Sequence, residues 1–147
     1  MTIQIRKATI HDLPRVYSFE LAYIREIEPA AEERWKDSIP LHLRQWISNI
    51  PRMSMAIQEM DPIGYCFWQV AGKAAVLASI FISPLWRRKG YGQILLKAFE
   101  QDAAENGFFL LRLGVHESNP ASALYKSAGY HWTHKQDAYD YYEKEIL

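Results

Sequence analysis

The sequence predicts an α+β domain in which about four helices accompany a mixed, mostly antiparallel sheet of about seven strands. Three observations carry that expectation. Two amphipathic helical patterns follow a short first strand, three apolar strands separated by tight turns form a meander, and helices and strands then alternate up to a terminal hairpin. A chain of 147 residues suits one domain over its whole length and can bury a sizeable core without disulfides or a structural metal.

Residues 2–8 alternate, with Ile3 and Ile5 on one face and Gln4 and Arg6 on the other, as in a half-buried strand. From residue 11 to 28 the period lengthens: Leu13, Val16, Tyr17, Leu21, Ile24 and Ile27 recur at helical spacing, and Pro29 stops the run. A second helix is expected over residues 38–50, with Ser38 as cap, Pro40 in the first turn and Leu43, Trp46, Ile47 and Ile50 buried. Residues 54–60, 65–70 and 75–82 read as the meander, turning at Asp61-Pro62-Ile63-Gly64 and at Ala71-Gly72-Lys73. Tyr91, Ile94, Leu95, Ala98 and Phe99 mark a third helix ended by Asn106-Gly107. Residues 108–115 are continuously apolar apart from Arg112, the pattern of a strand covered on both faces. Asn119-Pro120 opens a fourth helix, with Asn119 as cap, and Gly129 ends it. Residues 130–134 and 139–146 form the last hairpin.

Charge and cysteine content exclude several functions. Acidic and basic residues balance at 17 each, so nothing suggests a nucleic-acid partner. Cys66 stands alone among Tyr65, Phe67 and Trp68, as a core thiol does. His131 and His134 are three apart on an expected strand, with no further ligands to complete a metal site, so no metal is assigned. No apolar run approaches the roughly 18 residues that span a bilayer, and no signal-peptide pattern opens the sequence. A cytoplasmic protein without membrane contact is the expectation.

The run Arg87-Arg88-Lys89-Gly90-Tyr91-Gly92 stands between the third meander strand and a helix. Two glycines let the backbone come close to a ligand, and the helix start offers N–H groups and a positive dipole end to an anion. The Arg87-x-x-Gly90-x-Gly92 pattern after a strand resembles the pyrophosphate loop of the GNAT N-acetyltransferases. The downstream run Val115-x-x-x-Asn119, then Ala121-x-x-Leu124-Tyr125-x-x-x-Gly129-Tyr130, is similar to that family's second motif, and the element order agrees along the whole chain. A Rossmann loop would need a third glycine where Leu95 stands, and no phosphate-binding Gly-x-x-x-x-Gly-Lys-Ser/Thr run occurs.

The resemblance implies an α/β/α-layered fold and acetyl-CoA as co-substrate. Backbone groups from Arg88 through Lys89, Gly90, Tyr91 and Gly92 to Gln93 would bind the pyrophosphate beside Arg87, and β-carbons at Gly90 and Gly92 would obstruct it. The strand edge at Ile80, Phe81 and Ile82 would pair with the pantetheine amides, and Asn119 would approach the cofactor. Tyr125, which also touches the cofactor, would protonate the departing thiolate as general acid. The chain departs from the family in two places. Asn119 to Tyr125 is six residues, one short of the usual spacing, so Ser118 competes with Asn119 for the cofactor contact. Gly114 occupies the place where members that modify protein N-termini carry a Glu.

The base is open at this level: Glu20, turned toward the apolar stripe of the first helix, His116, Glu117 and water all qualify. Glu26, Glu28, Glu32 and Glu33 form an acidic connection after the first helix, which favours a cationic acceptor. His131, Trp132, His134, Tyr139, Tyr141 and Tyr142 in the last hairpin add aromatic walls or a cation cage. The implied function is acetyl transfer to the primary amine of a small molecule. The alternatives are an acyl-CoA-binding sensor without transfer and a protein or peptide N-acetyltransferase. Exposed aromatic strands in the hairpin leave room for a homodimer.

Overall fold

A computed structural model describes residues 3–146. Seven strands form one sheet: β1 (Gln4–Lys7), β2 (Met53–Gln58), β3 (Asp61–Ala71), β4 (Ala74–Ile82), β5 (Leu110–His116), β6 (His131–Gln136) and β7 (Tyr139–Glu145). Their order is β1-β2-β3-β4-β5-β7-β6, antiparallel except where β4 and β5 run side by side. Helices α1 (Leu13–Ile27), α2 (Glu32–Asp37) and α3 (Ile39–Ser48) cover one face; α4 (Tyr91–Glu105) and α5 (Ser122–Ser127) cover the other. The predicted α+β class and the three-layer arrangement are both present.

Strand alternation divides the core between the layers. Met53, Met55, Ile57, Tyr65, Phe67 and Phe81 face α1, where Val16, Phe19 and Ile24 meet them. Ala56, Cys66, Trp68, Leu77 and Leu113 face α4, against Leu95, Leu96 and Phe99. Asp12 secures the entry to α1. It takes both guanidinium nitrogens of Arg6 at 2.8 and 2.9 Å, and closes a capping box with Thr9.

Several elements differ from the sequence reading. Thr2 lies outside the described residues. The second helix is preceded by a separate helix, α2, stabilised by a Lys36–Glu32 pair one turn apart and by buried Trp35. Ser38 makes no side-chain cap, and Leu43 and Ile47 are exposed, because α3 packs inward through Trp46, with Ile39 and His42 beside it. The first hairpin turns at Glu59 and Met60, both in the left-handed region at φ 48° and 70°, and not at Asp61–Gly64. Pro62 belongs to β3 instead; it precedes Gly64, the first residue registered with β4, so its missing N–H breaks no ladder there.

Ile94 is exposed on α4, whose inner stripe runs through Leu96 and Ala103 as well as Tyr91, Leu95 and Phe99. β5 is buried on one face only: Leu111, Leu113 and Val115 point inward while Arg112 and Gly114 are exposed. α5 begins at Ser122, three residues after Asn119. The Asn119 Oδ1 still accepts from the Ala121 N–H at 3.0 Å, so it caps the turn that leads into the helix.

Candidate active site

The site begins with one extra residue in β4. Leu77 pairs with Trp68 and Ser79 with Phe67, leaving Ala78 as a bulge. A bulge bends its strand, and here parallel pairing with β5 stops at Leu77–Leu113. Residues 78–82 of β4 therefore keep a strand partner only on the β3 side, while β5 continues along β7 to His116. Two cavities occupy the resulting wedge. They share Tyr23, Ile80, Asn119 and Tyr125.

The first cavity, of about 480 Å³, lies between the free part of β4, the glycine loop and the start of α5. Ile80, Phe81, Ile82, Arg87, Arg88, Gly90, Tyr91, Gly92, Gln93, Asn119 and Tyr125 all line it; of the residues expected at the cofactor, Lys89 does not. Gly90 adopts φ +82° directly before α4, a conformation that penalises a β-carbon, and no side chain caps the helix. At Gly92 a β-carbon would meet only Leu124, at an ordinary 3.4 Å, so packing within the protein does not require glycine there. Such a carbon would instead narrow the cavity. Glycine backbone, a helix N-terminus and a free strand edge fit the pyrophosphate and pantetheine arm of acetyl-CoA.

Arg87 has another task. Its guanidinium grips both Glu26 oxygens at 2.6 and 2.8 Å, its Nε donates to the Ile82 carbonyl at 2.8 Å, and it lies over the Phe81 ring. The Arg87 guanidinium in turn holds the Glu26 carboxyl below its ordinary pKa. The side chain thus fastens the loop to the end of α1, leaving Arg88 as the neighbouring cation that lines the cavity without an ion pair among those described.

The second cavity, of about 250 Å³, is lined by Glu20, Glu28, His42, Ser79 and Tyr139 together with Tyr23, Gln45, Asn119, Tyr125 and apolar residues, and by no Lys or Arg. Ser79 donates to Glu20 at 2.9 Å, and burial pushes the Glu20 carboxyl above its ordinary pKa against the pull of that bond. The Tyr139 hydroxyl donates to Glu28 at 2.6 Å, and the His116 Nε2 stands 4.0 Å from the other Glu28 oxygen. Burial lowers the pKa of His42, whose ring stacks between Trp35 and Trp46.

The expected acidic rim is only partly there. Glu26 is engaged by Arg87, and Glu32 by Arg25 and Lys36, so of the four connection carboxylates Glu28 alone lines the second cavity. The hairpin makes no aromatic cage either. All of β6 is exposed, Trp132 bonds to Asp140, His134 stacks on Tyr141 and Tyr142 is buried in the core, which leaves Tyr139. Ser118 lines neither cavity, and its N–H bonds to His116. Gly114 lies beneath the Tyr141 ring, whose Cε1 would be 2.8 Å from an added β-carbon, so a Glu there would have to displace that ring.

The sequence reading missed Tyr23, His42 and Ser79. Tyr23 was recoverable, since it stands three residues from Glu20 and one from Ile24 on the same side of α1; burial and the nearby Glu28 push its phenol to about 12. Among the described residues no cluster of three or more His, Cys, Asp or Glu is placed to hold a metal, and no helix is long and apolar enough to cross a membrane.

A family model, Acetyltransferase (GNAT) family, matches residues 19–130, a span that includes the loop, the wedge and the two tyrosines, Tyr23 and Tyr125, that line both cavities. The chain belongs to the GNAT acetyltransferase family. Its co-substrate is accordingly acetyl-CoA, and the chain is an acetyltransferase. The fold agrees with solved members. The PaiA N-acetyltransferase of Thermoplasma acidophilum, crystallised with coenzyme A, superposes at TM-score 0.86 with 21% identity over 99% of this chain and 100% of that one. A ribosomal-protein-alanine N-acetyltransferase from Brucella melitensis reaches 0.73 with 20% identity, over 97% and 99%. N-acetylglutamate synthase from Neisseria gonorrhoeae, bound to coenzyme A and N-acetyl-glutamate, reaches 0.74 with 15% identity, over 100% of this chain and 36% of that one. No curated protein matches the chain by sequence.

Proposed function

We propose that this GNAT acetyltransferase moves the acetyl group of acetyl-CoA to the primary amine of a small cationic molecule, with Glu20 as base and Tyr125 as acid. One observation carries the reading: the donor cavity meets, at Tyr23, Ile80, Asn119 and Tyr125, a second cavity holding two carboxylates and no Lys or Arg. An ammonium entering it meets opposite charge without competition from a resident cation.

In this reading the ammonium gives one proton to the Glu20 carboxylate, and the freed lone pair forms the C–N bond to the acetyl carbon. A β4 N–H near Ile80 supports the oxyanion. The C–S bond then breaks, Tyr125 gives its proton to the thiolate, and the tyrosinate recovers one from the new amide nitrogen. Glu20 returns its proton to solvent. Net, ammonium and thioester become amide, thiol and one proton. Burial raises the Tyr125 pKa well above neutrality, so the phenol holds its proton until the thiolate forms.

The test is release of CoA thiol from acetyl-CoA across a panel of small amines, amino acids and N-terminal peptides. Release with small cationic amines is the expected result. Release with peptides alone would replace this reading by protein N-terminal acetylation, and binding without any release would make the chain an acyl-CoA sensor.

A further inference from the structure

Glu20 is a carboxylate placed in an apolar stripe. It falls on the face of α1 that carries Val16, Ile24 and Ile27, and strand alternation sets Tyr65, Phe67, Ser79 and Phe81 opposite that face. Phe67 and Ser79 are directly paired across β3 and β4, and Tyr65 is the next residue of β3 on the same side. Ser79 donates to Glu20 from one strand. The Tyr65 hydroxyl, wholly buried, is near enough to influence both Glu20 and Ser79, yet it forms no well-made hydrogen bond of its own.

That hydroxyl needs an explanation. Tyr65 stacks on Phe19 and Phe67, and a phenylalanine would fill the same space without burying an unsatisfied polar group. Ser79 also follows the Ala78 bulge and precedes Ile80, which lines both cavities. The bulge that opens the donor wedge therefore also aims the Ser79 hydroxyl at Glu20.

The geometry points to Ser79 and Tyr65 as positioning residues that together hold the Glu20 carboxyl group where it takes the proton of the acceptor ammonium. The inference rests on the reading of Glu20 as base. Two hydroxyls suit that task because Ser79 donates to the carboxylate and the Tyr65 hydroxyl is near enough to turn toward it, and each can rotate to accept when the carboxyl becomes protonated. Without them, desolvation alone would act on Glu20 and keep it protonated to higher pH. The other titratable groups around the cavity are Tyr23 and Glu28 at α1, His42 on α3, Tyr125 on α5 and Tyr139 on β7. Glu28 is satisfied by Tyr139, at the β7 side.

Carbon NMR of protein carrying labelled glutamate follows the carboxyl titration directly, the Glu20 signal being the one lost in Glu20→Gln. In Ser79→Ala and in Tyr65→Phe the Glu20 midpoint moves to higher pH, and it moves further in the double variant. The acid-side limb of kcat/KM, measured with the fastest amine of the panel, moves with it, while acetyl-CoA affinity is unchanged and Ser79→Thr restores the wild-type midpoint. A Glu20 midpoint unmoved in both single variants, with the limb still abolished by Glu20→Gln, overturns the positioning role and leaves the base standing. A limb that survives Glu20→Gln overturns both. Tyr65→Phe keeps the ring and its stacking, so a folded variant is available even if Ser79→Ala is unstable.

Discussion

Two phenols meet the junction of the cavities, and they do not face the same surroundings. Tyr125 is buried against Tyr130 and Tyr142 and lines both cavities from α5. Tyr23 reaches the junction from α1, beside Asn119 and under the influence of Glu28. Glu28, Glu20 and Glu26 all act against loss of a proton from Tyr23, whereas no carboxylate acts on Tyr125 in this way, so the thiolate leaving from the donor side draws its proton from Tyr125. Tyr125→Phe therefore lowers kcat by about 10²-fold or more, in the range of a general acid, with acetyl-CoA affinity changed far less. Tyr23→Phe lowers it less. Thiol release and cofactor titration on both variants check this; equal losses would shift the acid role to the pair.

At the scale of elements, the Arg87–Glu26 clasp joins the glycine loop at the first cavity to α1, which also walls the second. Half-exposed ion pairs contribute little stability, on the order of 0–1 kcal/mol, so its value lies in loop geometry. Arg87→Ala and Glu26→Ala should weaken acetyl-CoA binding several-fold and to similar extents, and the double variant should bind no worse than either, as calorimetric titration would read. An Arg87→Ala loss about tenfold larger than that of Glu26→Ala would mean direct contact with phosphate. The clasp also shows what a sequence conveys. The glycine loop, the strand before it and Glu20 on its stripe are local patterns, legible from spacing. Helix α2 was missed because its support is a buried Trp35 and ion pairs to Arg25 and Lys36, in a stretch that reads as a charged connection. The hairpin at Glu59-Met60 was missed because neither residue is a usual left-handed one, while Pro62 and Gly64 beside it gave a stronger turn signal. The contact between Glu28 and Tyr139 joins residues 111 apart, and no local pattern announces it.

Across the whole molecule, the sheet that places the site also seals its one thiol. Cys66 is 1% exposed beneath α4, and burial pushes its thiol up to about 12, so native protein offers reagents neither access nor thiolate. Its modification must pass through opening of the sheet against α4, because the same layer contains Ala56, Leu77, Leu95 and Leu113. If acetyl-CoA occupies the first cavity, it lies across that layer's rim, on β4, the α4 start and α5, and has no site on the opened chain. At a concentration of about 100 times Kd it should stabilise the closed state by about 2.7 kcal/mol and slow Cys66 labelling roughly 100-fold. Iodoacetamide labelling followed by protein mass reads this without interference from CoA thiol. A rate independent of acetyl-CoA would mean that Cys66 is reached by a local opening that leaves the donor wedge intact, and would separate the stability of the sheet centre from that of the site.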